Sequence, residues 1–172
     1  MSERAADDPG PAVAAPTITT DSGQTFTVAR AAREDVGTLV SLLTDDVLGS
    51  GREVSDLAPY LAAFDEIDAD PHHFLAVVRD AKGDVCGTVQ LTAIPGLARG
   101  GAKRLQIEGV RLASWTRGKG LGTALFAWVH EWGRAQGATL AQVTSDKQRT
   151  EAHRFYEALG YVASHEGFKL AL

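Results

Sequence analysis

The chain has one cysteine, one methionine and six prolines in 172 residues, and 7% of it is aromatic. A lone cysteine, Cys86, excludes an internal disulfide and points to a reducing compartment. Basic residues are the minority: 17 Lys and Arg against 22 Asp and Glu leave a formal net charge of −5. That balance argues against a protein held on nucleic acid through its phosphates. No apolar run reaches the ~20 residues that cross a bilayer. The N-terminus lacks a basic head followed by an apolar stretch, so no secretory signal is expected. The location expected from these absences is cytoplasmic. His72 and His73 have no ligand spacing with Cys86 or another histidine, so no metal is expected. Cys86 has no base partner in sequence and reads as a buried structural thiol.

What remains is an ordinary globular composition, 44% hydrophobic and 23% charged, at a length that fits one domain. Residues 1–23, rich in Ala, Pro and Asp, are expected to be a disordered tail. Residues 24–172 are expected to form the domain. Residues 25–30 alternate like a strand, and Val36, Leu39, Val40, Leu43 and Val47 have helical spacing. Gly49, Ser50 and Gly51 break that helix. Ser55 is expected to cap a second one, with Leu57, Leu61, Phe64 and Ile67 inward. Residues 73–79 and 85–94 read as a hairpin. A third long strand covers residues 103–113.

The best helix runs over residues 120–136. Leu121, Leu125, Trp128, Val129 and Trp132 form its apolar stripe, with Thr123, Ala127, His130 and Arg134 opposite and Gly137 as the stop. A strand at residues 140–145 follows. Next comes a helix capped by Thr150 and ended by Gly160, carrying Ala152, Phe155, Tyr156 and Leu159 inward. Strands are expected at residues 161–163 and 167–172. The fold class is therefore α+β: a twisted mixed sheet of about seven strands with helices on both faces.

Two local features stand out. In the strand LQIEGVRL, apolar residues occupy odd positions up to Ile107 and even positions from Val110. A one-residue slip would turn every later side chain to the wrong face, so a β-bulge is expected near Gly109. Then RGKGLG, residues 117–122, puts three glycines at the mouth of a helix. Helix N-termini carry unpaired N–H groups and partial positive charge, so an anion is the expected occupant. A P-loop is excluded, because Lys119 is not followed by Ser or Thr. A dinucleotide fingerprint fits poorly, because Thr123 stands where its third glycine belongs. Asp146 does lie at about the distance of that fold's ribose contact.

The third pattern is R-x-x-G-x-G directly after the bulged strand. Together with QIEGVRL and TSDKQRTEAHRFYEALGY, it resembles the GNAT superfamily of acetyl-CoA-dependent N-acetyltransferases. The resemblance is sharp over residues 106–161. The C-terminal half is similar to aminoalkylphosphonate-type small-amine N-acetyltransferases. The resemblance implies acetyl-CoA as cosubstrate, with Val110, Arg111 and Leu112 pairing with its pantetheine arm. Arg117, Gly118, Lys119, Gly120, Leu121, Gly122 and Thr123 would hold its pyrophosphate. The Val110 N–H is the implied oxyanion donor.

Glu108 matches the family glutamate that takes the amine proton directly or through water; the alternative is a carboxylate that orients substrate or pairs across the strand. Tyr156 matches the family tyrosine that protonates the departing thiolate, and it also fits its helix's apolar stripe. Many relatives carry Asn at Asp146 to hold pantetheine. An ionised aspartate cannot donate, so Asp146 is left to bind a substrate ammonium, cap the next helix, or pair with Lys147 or Arg149. The acidic run Asp45, Asp46, Glu53, Asp56, Asp65, Glu66, Asp68 and Asp70 is either a rim that attracts a cationic amine or a solvated helix face. Acetyl transfer to a small primary amine is the expected activity. A protein N-terminal or lysine acetyltransferase and a non-catalytic acyl-CoA-binding regulator stay open. A homodimer is expected by analogy.

Overall fold

The computed structural model describes residues 15–45 and 51–171. Its centre is a six-stranded sheet in chain order. The strands are β1 (Thr17–Thr19), β2 (Thr25–Arg30), β3 (His73–Arg79), β4 (Val85–Ile94), β5 (Lys103–Leu112) and β6 (Ala138–Val143). Pairing is antiparallel from β1 to β5 and parallel between β5 and β6. Helices α1 (Val36–Thr44) and α2 (Ala58–Ala69) enter between β2 and β3. A four-residue helical turn, α3 (Ala98–Gly101), links β4 to β5. Helix α4 (Leu121–Ala135) is the crossover between the parallel strands, and α5 (Thr150–Ala158) follows β6. Asp46, Val47, Gly49 and Ser50 lie outside the described residues.

Two cores explain why the strands read as near-continuous apolar runs. Ala76 and Val78 of β3 pack with Leu91, Leu105, Ile107, Leu121, Leu125, Phe126 and Val129 on the α4 face. Val77, one residue out of phase, packs with Val36, Leu39, Val40 and Phe64 under α1 and α2. A strand covered on both faces has no polar face to show. Cys86 is fully buried, and burial pushes its thiol up to about 11, so it is inert at neutral pH.

Four expectations need correction. The stretch assigned to a tail contains β1: Thr17 pairs with Thr27 and Thr19 with Thr25, while Ile18 is buried. The turn is closed by Gly23 N–H donating to the Thr20 carbonyl at 2.8 Å. The alternation in TIT, then DSG, then TFTV was a readable hairpin signal, masked by the Ala- and Pro-rich residues before it. Second, neither strand expected in residues 161–172 forms over residues 161–171, and with β1 gained the described residues make a sheet of six strands. Third, Ser55 does not cap α2; the Asp56 carboxylate accepts from the Ala58 N–H at 3.0 Å. Fourth, the α4 stripe is wider than read. Phe126 is fully buried, and His130 is not on the open side. Its Nε2 lies 2.8 Å from the Tyr161 hydroxyl.

Candidate active site

The bulge is where the broken alternation put it. Gln90 faces Glu108 and Thr88 faces Arg111, so Val89 alone opposes both Gly109 and Val110. Gly109 has φ +59°, the left-handed region that favours glycine. On the other side of β5, pairing with β6 stops at Ile107 opposite Val143. Beyond that point the two parallel strands part. Arg111 and Leu112 pair with Thr88 and Gly87 of β4, past the end of the β5–β6 register, and the Val110 carbonyl accepts from the Arg111 guanidinium at 2.7 Å.

Residues 117–122 close one end of the gap. Gly118 and Gly120 take φ of +73° and +77°, so the chain coils tightly before α4 starts. Gly120 is the residue that caps α4, and it lies against the turn that follows β1: a Cβ there would sit 3.7 Å from the Thr20 side chain. The segment expected to be a tail therefore buttresses this loop, and Thr20 is a site neighbour that composition alone concealed. Leu121 is buried, so only its backbone faces outward. Arg117 and Thr123 are exposed. Lys119 lies over the Trp115 ring, 5.1 Å from its centroid. Gly122 packs on α5, where a Cβ would be 3.2 Å from the Phe155 ring.

The other two walls carry the titratable groups. Glu108 is exposed beside the bulge, and Gln106 donates to its carboxylate at 2.7 Å. Tyr156 of α5 packs with the core while its phenol stays within electrostatic reach of Arg111, Arg149 and Glu108. Burial raises its pKa, more than the two arginines lower it. Phe126 holds it in place: its ring meets Phe155, Tyr156, Tyr161 and His130 at centroid distances of 5.5–6.2 Å. Glu108 and Tyr156 are far apart in sequence and flank one gap.

Asp146 sits in the turn after β6. Its carboxylate accepts from the Gln148 N–H at 3.0 Å and lies 3.4 Å from Arg52. The Gln148 bond is the main cause of its lowered pKa, with Arg52 and Arg149 adding to it. The Asp146 carbonyl lies 2.9 Å from His153 Nε2. Lys147 turns away to Glu166 at 2.7 Å. The Arg52 contact ties the segment before α2 to the mouth of the gap. Sequence reasoning also passed over Ser145. Its Oγ is buried with no hydrogen-bond partner, a donor and acceptor left for a ligand.

The acidic run divides. Asp65 pairs with Arg33 at 3.1 Å, Asp68 with Arg30 at 3.6 Å, Asp70 with His72 at 2.9 Å, and Glu53 accepts from Tyr60 at 2.7 Å. Those four are engaged locally. Asp45 borders an open cleft of about 610 Å³ beside α1, with Val40, Thr44, Val54 and Leu57.

The end of the β5–β6 register, a glycine loop ahead of α4, and the Glu108 carboxylate and Tyr156 phenol make up the candidate site. The chain belongs to the Acetyltransferase (GNAT) family, whose model matches residues 30–161. It is thus an acyltransferase of the N-acetyltransferase type, with acetyl-CoA as cosubstrate. It is similar to the aminoalkylphosphonate N-acetyltransferase of Salmonella typhimurium, 43% identical over 56 residues. That match covers 33% of this chain and spans 36% of the relative's length. It is also similar to the crystal structure of a transcriptional regulator from Bacillus halodurans C-125, with TM-score 0.81 and 41% identity over 86% of this chain and 99% of that one. A predicted acetyltransferase from Clostridium acetobutylicum, solved with acetyl-CoA, shares the fold at TM-score 0.67 and 16% identity. That likeness covers 85% of this chain and 96% of the Clostridium one.

Proposed function

We propose that the protein acetylates the primary amine of a small molecule by direct attack on a bound thioester. The observation that carries this reading is that the Tyr156 phenol lies within electrostatic reach of Glu108 where the β5–β6 register has ended at Ile107 and Val143. The residues present fit acetyl-CoA. The backbone of residues 117–122 suits its pyrophosphate, with Arg117 and Lys119 adding charge. The stretch from Val110 to Leu112, past the end of the β5–β6 register, suits an amide-bearing arm, and the Ser145 Oγ gives that arm a further partner. Asp146, already held by Arg52 and Gln148, borders the same arm. When bound, acetyl-CoA supplies an activated acetyl group.

The chain's own residues do the rest. An alkyl amine with a pKa of ~10.4 arrives protonated and must lose a proton to attack. Glu108, exposed at the mouth and oriented by Gln106, takes that proton directly or through one water. The Val110 N–H stabilises negative charge on the carbonyl oxygen. Tyr156, kept protonated by burial, gives its proton to the departing sulfur. Arg111 and Arg149, within electrostatic reach of Tyr156, favour an amine that also carries an anionic group. The name of the Salmonella relative describes such an acceptor. A homodimer and a cytoplasmic setting, the latter in keeping with an inert buried thiol, complete the proposal.

The test is calorimetric titration with acetyl-CoA, using NAD as the control, followed by a thiol-release assay. The assay compares aminoalkylphosphonates, diamines and N-terminal peptides. Micromolar acetyl-CoA binding and turnover with the first group are expected. Turnover with peptides alone would replace the small-molecule acceptor by a protein one. Binding without turnover on any amine would support the regulatory reading, which the Bacillus neighbour, called a transcriptional regulator, favours.

A further inference from the structure

The chain's three tryptophans divide two to one. Trp128 and Trp132 of α4 pack against the core, and their rings lie 5.8 and 5.6 Å from that of Phe74. Trp115 belongs to neither core and is 49% exposed. A single exposed ring is ordinary on a protein surface. This one differs in where it stands and in how firmly it is held.

Trp115 lies in a helical turn, Ser114–Thr116, between the end of β5 and the glycine loop of residues 117–122. Thr116 is buried, and its hydroxyl donates to the Ala113 carbonyl at 2.7 Å. The Ala113 N–H donates to the Cys86 carbonyl of β4 at 2.8 Å. The Arg117 N–H donates to the Ser114 carbonyl at 3.2 Å, and the Lys119 N–H to the Thr116 carbonyl at 3.3 Å. The turn and the first part of the loop are thus one hydrogen-bonded unit. The Lys119 side chain folds back, with its ammonium 5.1 Å from the centre of the Trp115 ring. That contact ties the indole to the loop and puts positive charge beside it.

A rigid aromatic platform with a cation, next to a loop that suits a diphosphate, matches the chemistry of a nucleotide: a purine ring and a phosphorylated sugar. In coenzyme A the pantetheine arm leaves the diphosphate on one side and the 3′-phosphoadenosine on the other. With the arm along Val110 to Leu112, the nucleotide is the half left for the exposed ring.

We propose that the adenine of acetyl-CoA stacks on Trp115, and that this residue sets the donor preference. Coenzyme A thioesters are favoured over the same acyl group carried on phosphopantetheine without the nucleotide, because the second class has no purine to place on the indole. The inference rests on residues 117–122 holding the diphosphate and goes beyond it by assigning the nucleotide half.

The experiment is calorimetric titration of the wild type, W115F and W115A with acetyl-CoA and with 4′-phosphopantetheine. W115A should bind acetyl-CoA about 10- to 100-fold more weakly, and W115F should recover most of that loss. Affinity for 4′-phosphopantetheine should be the same in all three. Tryptophan emission gives a second readout: acetyl-CoA should quench the exposed component of the wild type, 4′-phosphopantetheine should not, and W115A should lose the response. Both variants should melt close to the wild type, because the ring belongs to no core. Equal acetyl-CoA affinity in the wild type and W115A would overturn the platform alone. So would a loss in W115A shared by 4′-phosphopantetheine, since the ring would then act only on the shape of the loop. A wild type that binds no acetyl-CoA would overturn the diphosphate cradle and the platform together.

Discussion

The two halves of β5 are built for opposite purposes. From Arg104 to Ile107 the strand is paired on both sides, and Leu105 and Ile107 are 1% and 0% exposed. From Glu108 to Leu112 it is bulged, paired on one side, and exposed or half-buried. The bulge at Gly109 opens the second half. The first half stabilises the domain by burying apolar area. The second half runs past the end of the β5–β6 register and carries Glu108. Mutations on either side, and on the wall that faces the second half, should divide the same way.

The largest effect is expected on the working side. Tyr156→Phe should lower turnover by ~10²–10⁴-fold, worth ~3–5 kcal/mol of barrier, with acetyl-CoA affinity nearly unchanged. Thiol-release kinetics and calorimetry check both halves of that statement; retained turnover would move the acid elsewhere. On the structural side, Ile107→Ala should cost ~2–5 kcal/mol in denaturant unfolding, because it opens a cavity in a packed core. The folded fraction should bind acetyl-CoA as before. Weakened binding there would mean the halves are not separable.

At the boundary, Gly109→Ala should cost ~1–2 kcal/mol, since φ +59° is strained for any residue with a Cβ. There is open space at that point, so the penalty is conformational rather than steric. A melting temperature equal to wild type would mean the bulge does not need the left-handed geometry.

The smallest effect concerns pH. Burial, then Arg134, lowers the pKa of His130, while burial and Tyr156 push Tyr161 up to about 12. In acid the unfolded chain takes up the His130 proton before the folded one does. Stability therefore falls as pH drops below the ordinary histidine value near ~6.5. In alkali the unfolded Tyr161 ionises first, near ~10, and stability falls as pH rises from there towards about 12. Thermal melts from pH ~5 to ~11 should decline at both ends, and His130→Gln should flatten the acid limb. An unchanged acid limb would remove His130 as its cause.

Much of this was legible in the chain. The phase break at Gly109 announced the bulge, because strand periodicity leaves a slip only one economical repair. The glycines of residues 117–122 announced a tight turn ahead of a helix. Glu108 and Tyr156 were singled out through motif resemblance, and the fold puts the two within electrostatic reach of each other. What was missed has a common cause. β1 was hidden because its partner lies across a turn and its neighbours are tail-like. His130 was read as outward because the Tyr161 hydroxyl that meets it lies 31 positions away. The acidic run looked like one rim because its Arg30 and Arg33 partners sit before α1.

The sequence by itself determined the local features: helix and strand periods, the turn chemistry and the bulge. Each of these depends on residues within a few positions of one another, where sterics and backbone bonding decide the outcome. Tertiary structure alone decided where the β5–β6 register ends, that the Ser145 hydroxyl is buried without a partner, and that residues 161–171 pair with no strand among the described residues. Those outcomes depend on what surface is already covered when a segment arrives, and spacing along the chain does not encode that.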